Sequence, residues 1–271
     1  MTRDLKTDPR ELAEELDRLR AAKPLVHNIT NTVAATPSAN ALLAIGAVPV
    51  MSSAELEARE FAMAAQALVI NLGTLQPATV PAMRIAIAAA QENGRPWVLD
   101  PVAHFATSFR TEIAQEMLAL RPTLVRGNAS EILAFGGAGS GRGTQAGDPV
   151  SAAEATARDL ARRTGGTVAV SGAVDFLSDG VAAARVSNGH PLMSKVTALG
   201  CALSAVCGAF LGAGVDPFRA SVAAFATFGL AGERAAETAA GPGSLAIHVL
   251  DELHLMTSAG LAQGARIEIS G

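Results

Sequence analysis

The chain has 271 residues and a mass of 27.5 kDa, and 49% hydrophobic against 17% charged residues gives it material for a sizeable core, which excludes a wholly disordered polymer. Its 21 basic and 25 acidic residues leave a net charge of −4 and a pI near 5.8, with no Lys/Arg cluster. With 4% aromatics and no Tyr, neither a nucleic-acid-binding stripe, a base-stacking platform nor a polybasic membrane anchor is expected.

The first element, Asp8 to Ala22, has Leu12, Leu16 and Leu19 at helical spacing among charged residues and predicts an amphipathic helix with a solvated face. No apolar signal-peptide core occurs between Met1 and Lys23. The two cysteines, Cys201 and Cys207, suit neither a CxxC pair, a zinc site nor a disulfide framework. A cytoplasmic protein is expected. Short apolar runs then alternate with helical patterns. The runs are Pro24–Asn28, Gly46–Met51, Ala67–Leu72, Trp97–Asp100, Thr123–Arg126 and Thr167–Ser171. Helices are expected between them at Pro37–Ala44, Ala54–Ala65, Pro77–Asn93, Arg110–Leu120, Ala129–Phe135 and Ser151–Thr164. Continuous apolar strands separated by helices predict a parallel sheet covered on both faces, with ligands at the strands' carboxyl ends.

The pattern then changes. Asp175–Ser178, the turn Asp179-Gly180 and Val181–Ser187 read as a β-hairpin. Beyond Ala198 the chain reads as helical, at Gly200–Ala213, Pro217–Thr238 and Ser244–Ala259, with 261–271 left as a tail. Ala198 to Val215 is the most apolar stretch, but four Gly and the following Asp216-Pro217 make it a buried helix rather than a membrane span. The Gly-rich stretch Gly136–Gly147 reads as a mobile loop. Without a linker or internal repeat, 1–271 is expected to form a single domain that starts with the helix in residues 1–22.

Three groups of residues can carry chemistry. In Lys195–Ala205 a Gly opens a helix, leaving first-turn N–H groups for an anion such as phosphate. Cys201 lies in that turn, where a lowered thiol pKa would make it a base or nucleophile; a buried structural Cys fits the same residues. Cys207 has nothing polar around it and reads as core. Asp100 and Glu131 follow separate strands, and hard oxygen ligands at a sheet edge suit Mg²⁺ with a nucleotide phosphate. Arg126 suits phosphates. Asn128 and Glu131 also fit a plain capping box, which leaves Arg126-Gly127 unaccounted for. The third group, His27–Asn31, Met51–Ser53 and Asn71–Thr74, could line a small pocket, although His27 alone reads as a structural histidine.

Taken in order, PLVHNITN, GAVPVM, NLGT, WVLDPVA, VRGNASEI, VAVSG and KVTALGCALSAV resemble the hydroxyethylthiazole kinases, thiamin-salvage members of the ribokinase-like superfamily. GNASE matches that superfamily's NxxE element, and Cys201 stands where sugar kinases have Asp. The resemblance implies a three-layer α/β/α fold, with a mostly parallel sheet, an antiparallel edge hairpin and a helical C-terminal end. It implies transfer of the γ-phosphate of ATP to 4-methyl-5-(2-hydroxyethyl)thiazole. Met51, Asn28 and Gly73 would then shape the thiazole pocket, and Arg126 and Ser171 would contact ATP. Asp100 and Glu131 would hold Mg²⁺, partly through water; Ala198 to Gly200 would form the anion hole, and Cys201 would occupy the base position. A homotrimer with its pockets at subunit interfaces is implied as well. The family's Gly-Thr-Gly-Cys is Ala198-Leu199-Gly200-Cys201 here. If the first position needs a positive φ, Ala costs on the order of 1 kcal/mol there. Two alternatives remain: a kinase of another small alcohol such as a hydroxymethylpyrimidine, or a non-catalytic nucleotide-binding relative.

Overall fold

In the computed structural model, which describes residues 9–137, 148–214 and 216–270, the apolar runs form parallel strands of one sheet. They are β1 (Leu25–Ile29), β2 (Val48–Val50), β3 (Ala67–Asn71), β4 (Trp97–Asp100), β5 (Leu124–Asn128) and β6 (Thr167–Ser171). Between them run α2 (Ala35–Ile45), α3 (Glu55–Ala64), α4 (Val80–Glu92), α5 (Ser108–Ala119), α6 (Ala129–Phe135) and α7 (Val150–Thr164), after an N-terminal α1 (Pro9–Ala22). Strands β7 (Asp175–Ser178) and β8 (Ala183–Val186) form the expected hairpin. Helices α8 (Leu199–Gly212), α9 (Pro217–Thr238), α10 (Pro242–Leu255) and α11 (Ser258–Gly264) lead to β9 (Ile267–Ser270).

The sheet order is β2-β1-β3-β4-β5-β6-β7-β8-β9, antiparallel from β7 onward. Each strand alternates its side chains between two cores. Val26, Val69, Val98, Leu124, Ala169 and Leu177 face a core shared with α1, α2 and α8 to α11. Ile29, Ile70, Leu99, Val125, Val170 and Phe176 face a second core with α3 to α7. The result is three layers, α/β/α. Because β1 lies between β2 and β3, the winding reverses at β1, and a crevice opens between the carboxyl ends of β1 and β3.

Two expectations change. The chain beyond Ala198 is not all helical, and 261–271 is not simply a tail: Thr257 caps a separate α11, and β9 pairs with β8 across Val186↔Ile267. The strand expected at Gly46–Met51 shortens to three residues, because Gly46 at φ 101° caps α2. Residues 138–147 of the Gly-rich stretch lie outside the described residues. Helix α8 is buried along its middle, and among the described residues no helix is long and apolar enough to cross a membrane.

Candidate active site

Five parallel strands each carry a polar residue in their carboxyl half on the face under α8: Asn28, Asn71, Asp100, Arg126 and Ser171 share the parity of the residues in that core. Asp175 at the start of β7 continues the row. The four from Asn71 to Ser171 are linked in turn. Asn71 Nδ2 donates to Asp100 Oδ2 at 2.8 Å, Arg126 Nη1 lies 3.8 Å from the same oxygen, and Arg126 Nη2 donates to Ser171 Oγ at 2.8 Å. From α8, Ser204 Oγ also donates to Asp100 Oδ2, at 2.7 Å.

The first turn of α8 closes over this row. Ala198, its N-cap, has φ 64° and provides no side-chain cap, so the first-turn N–H groups keep their free ends. Ala198 therefore carries the left-handed strain expected for it. A Cβ on Gly200 would stand 2.8 Å from Arg126 Nη1 and 3.0 Å from Nη2. The glycine is thus required by the guanidinium packed against the helix, where the sequence suggested only the approach of a ligand. On the β1 side, Asn31 Nδ2 donates to Asn71 Oδ1 at 2.8 Å and to Cys201 Sγ at 3.4 Å. A Cβ on Gly73 would fall 2.5 Å from that same Nδ2.

The electrostatics correct one expectation. The Cys201 thiol is not lowered by the helix N-terminus; burial, followed by the charge of Asp100, pushes it up to about 11, against the pull of Asn71, Arg126 and Asn31. The thiol is therefore neutral near pH 7. Burial also raises Asp100, to about 6, with Glu131 adding to the rise and Arg126 opposing it most strongly. Arg126 stays charged, since Asp100 and Glu131 outweigh the effect of burial. Cys207 is fully buried, as expected for core, and its thiol is pushed up to about 12.

Glu131 does form the capping box, accepting from Asn128 N at 2.8 Å, and its other oxygen accepts from Ala103 N at 2.9 Å. Each oxygen keeps a second lone pair, and Asp100 lies near enough to feel its charge. Two carboxylates with water and phosphate oxygens suit Mg²⁺, so this donor set fits the ion. No cluster of three or more His, Cys, Asp or Glu side chains placed to hold a metal occurs among the described residues. Asn28 donates to Val26 O, while its Oδ1 is buried without a partner. Met51 is half-buried at the end of β2, beyond β1 from Cys201. His27 is structural, its Nε2 3.0 Å from Ser52 O.

Sequence reasoning missed Ser204, Arg110 and Asp175. Ser204 had a signal, because it stands three residues after Cys201 on one helix face. Arg110 had none: it reaches back to the Leu72 and Val102 carbonyls, at 2.7 and 3.0 Å.

The fold class is thus a three-layer α/β/α sandwich with a helix N-terminus set over Asp100 and Arg126 at the carboxyl edge of the sheet. The sequence profile of the Hydroxyethylthiazole kinase family matches residues 16–259, and the chain belongs to that family. It is 54% identical over 254 residues to a hydroxyethylthiazole kinase of Cereibacter sphaeroides, covering 93% of this chain and 97% of the relative. A Rhizobium etli hydroxyethylthiazole kinase is 52% identical over 257 residues, covering 94% of this chain and all of the relative. The solved hydroxyethylthiazole kinase of Pyrococcus horikoshii superposes with a TM-score of 0.88 at 40% identity, covering 96% of this chain and 99% of its own. A pyridoxal kinase from Staphylococcus aureus shares the fold alone, with a TM-score of 0.63 at 16% identity over 91% of this chain and 98% of its own.

Proposed function

We propose that this chain transfers the γ-phosphoryl group of ATP to the primary alcohol of 4-methyl-5-(2-hydroxyethyl)thiazole, acting in the cytoplasm as a homotrimer. One observation carries the reading beyond family membership: the uncapped N-terminus of α8 lies against the Arg126 guanidinium and over Asp100. Phosphoryl transfer asks a protein mainly for positioning and charge neutralisation. The N–H groups of the Ala198–Gly200 turn and the guanidinium of Arg126 supply that at fixed places. Arg126 and Ser171 bind ATP. Asp100 and Glu131 would hold Mg²⁺, which when bound would neutralise charge on the phosphate oxygens.

Cys201 faces the alcohol at the β1–β3 crevice, with Asn28, Gly73 and Met51 shaping the thiazole pocket. Its neutral thiol orients the hydroxyl, and the hydroxyl proton passes late to an oxygen of the transferred phosphoryl group as the new P–O bond forms and the bond to ADP breaks, since a loose transition state needs little activation of the nucleophile. The exposed Val33, Leu43, Val48 and Leu56 around the β2 edge support an interface on the pocket side. Coupled assays of ADP release with the thiazole alcohol and with a hydroxymethylpyrimidine test the proposal. Thiazole-dependent release that stops in EDTA is expected. Preferential turnover of the pyrimidine, or no alcohol-dependent release, would overturn it.

A further inference from the structure

The amide of Asn31 is fully committed. Its Oδ1 accepts from Val33 N at 3.0 Å and from Ala34 N at 2.9 Å, which fixes which end of the amide is oxygen. Its Nδ2 therefore turns inward and uses both hydrogens, one on Asn71 Oδ1 at 2.8 Å and one on Cys201 Sγ at 3.4 Å. Asn71 is constrained too, and its side chain also acts on the Cys201 sulfur beside Asn31. Its Oδ1 also accepts from Gly73 N at 2.9 Å, and its Nδ2 donates to Asp100 Oδ2 at 2.8 Å. Both amides are buried, 6% and 1% exposed, so neither can exchange these bonds for water. The missing side chain of Gly73 completes the arrangement, because a Cβ there would displace the Asn31 amide.

A sulfur that accepts an N–H is held in one place, and its own hydrogen must point elsewhere. We infer that Asn31 is a positioning residue that holds the Cys201 sulfur as a hydrogen-bond acceptor, leaving its S–H side open to the reacting alcohol, with Asn71 tying Asn31 to Asp100. Asn31 touches neither substrate nor metal in this scheme; it acts through the sulfur. The inference rests on the reading of Cys201 as the group facing the alcohol.

Two substitutions separate this role from a structural one. Asn31→Ala loses both the turn contacts and the donor. Asn31→Asp keeps an oxygen for the Val33 and Ala34 N–H groups but puts a carboxylate where the donor stood. Steady-state rates are compared in the parent and in Cys201→Ala, with thermal melts to confirm the fold. Both Asn31 variants should lower kcat by about tenfold with KM for the alcohol nearly unchanged, the size expected for one lost hydrogen bond. In Cys201→Ala the same changes should cost nothing further, because the cycle removes the shared partner. Full kcat in Asn31→Asp, or an equal loss in both backgrounds, would overturn the inference while leaving Cys201 in place. A full rate in Cys201→Ala itself would instead overturn the reading on which it rests. A second measurement needs no turnover. In a Cys207→Ala background, where Cys201 is the sole thiol, iodoacetamide alkylation of the nucleotide-free protein is timed. Asn31→Asp should slow it, since a carboxylate beside sulfur opposes the thiolate. Unchanged or faster alkylation, as from loosened packing, would also count against the inference.

Discussion

Gly200→Ala places a methyl group 2.8 Å from Arg126 Nη1, 3.0 Å from Nη2 and 3.3 Å from Cζ. Ordinary contact begins near 3.5 Å, so the guanidinium must withdraw by about 0.7 Å. It cannot do so freely: the side chain is 12% exposed, Nη2 is bonded to Ser171 and Nη1 lies 3.8 Å from Asp100. The stability terms oppose each other. Ala in place of Gly in a helix gains up to about 1 kcal/mol, and a strained charged hydrogen bond loses about 1.5–3 kcal/mol. A net loss of about 1–2 kcal/mol would lower Tm by a few degrees in a chain of this size. The catalytic cost is larger. Removing one donor aimed at developing charge costs about 10²–10³-fold, and displacing it should cost about 10–10²-fold in kcat/KM for ATP. Initial rates against ATP at saturating thiazole alcohol, with calorimetry on the same protein, measure both quantities. A variant that melts like the parent and keeps kcat/KM for ATP within about twofold would refute the assignment of Arg126 as the positioned cation.

Cys201→Ala should lower kcat by about 10²-fold, at the low end for acid–base help because the thiol starts neutral and the transition state is loose; Cys207→Ala, in the core, should leave rates near the parent's in the same assay. Glu131→Gln should lower stability as well as activity. Both carboxylate oxygens serve backbone N–H groups, and an amide can satisfy only one, a loss of about 1–2 kcal/mol readable by urea denaturation; an unchanged midpoint would contradict the double cap. Asp175, buried and bonded to Gly172 N, is raised to about 7 from 3.8. A raised carboxyl stabilises the fold fully below its unfolded value and loses that contribution as pH rises through the folded one. Asp175→Asn should therefore be more stable than the parent at pH 8 and lose that advantage on acidification toward pH 4. A stability difference independent of pH would refute it.

The parallel sheet was legible because strands buried on both faces must be apolar throughout, as Val-Ile at 69–70 and Val-Leu at 98–99 are. β9 was not. It is a four-residue edge strand with Glu268 facing solvent, and only pairing with β8, far back in the chain, makes it extend. Asp100 and Arg126 stood out in sequence because strand ends collect polar residues. The Asn31–Cys201 contact spans 170 positions and exists only because α8 packs across β1, β3 and β4. The same packing reversed the expected shift of Cys201: a helix N-terminus is visible in sequence, whereas the burial and the Asp100 charge that outweigh it are not.

Backbone strain gathers at the edge where these groups meet. Among the described residues, six non-glycine positions have positive φ, and four of them, Thr74, Val102, Ala103 and Ala198, lie in loops at the carboxyl end of the sheet. Val102 is β-branched, for which φ 24° is especially unfavourable. Each such residue costs about 1–3 kcal/mol and persists only where its surroundings over-determine it. Those surroundings are identifiable here. Glu131 accepts from Ala103 N, Arg110 donates to Val102 O and Leu72 O, and Thr74 Oγ1 accepts from Thr32 N. Ala198 has no comparable side-chain cap; a packed helix holds it instead. Apart from Glu131, which the proposal also gives to the metal, the residues clamping the loops are distinct from Arg126 and the first turn of α8. On the proposed function, that separation would let the N–H groups and Arg126 stay aimed before any substrate arrives, which is what electrostatic catalysis of phosphoryl transfer requires of a protein.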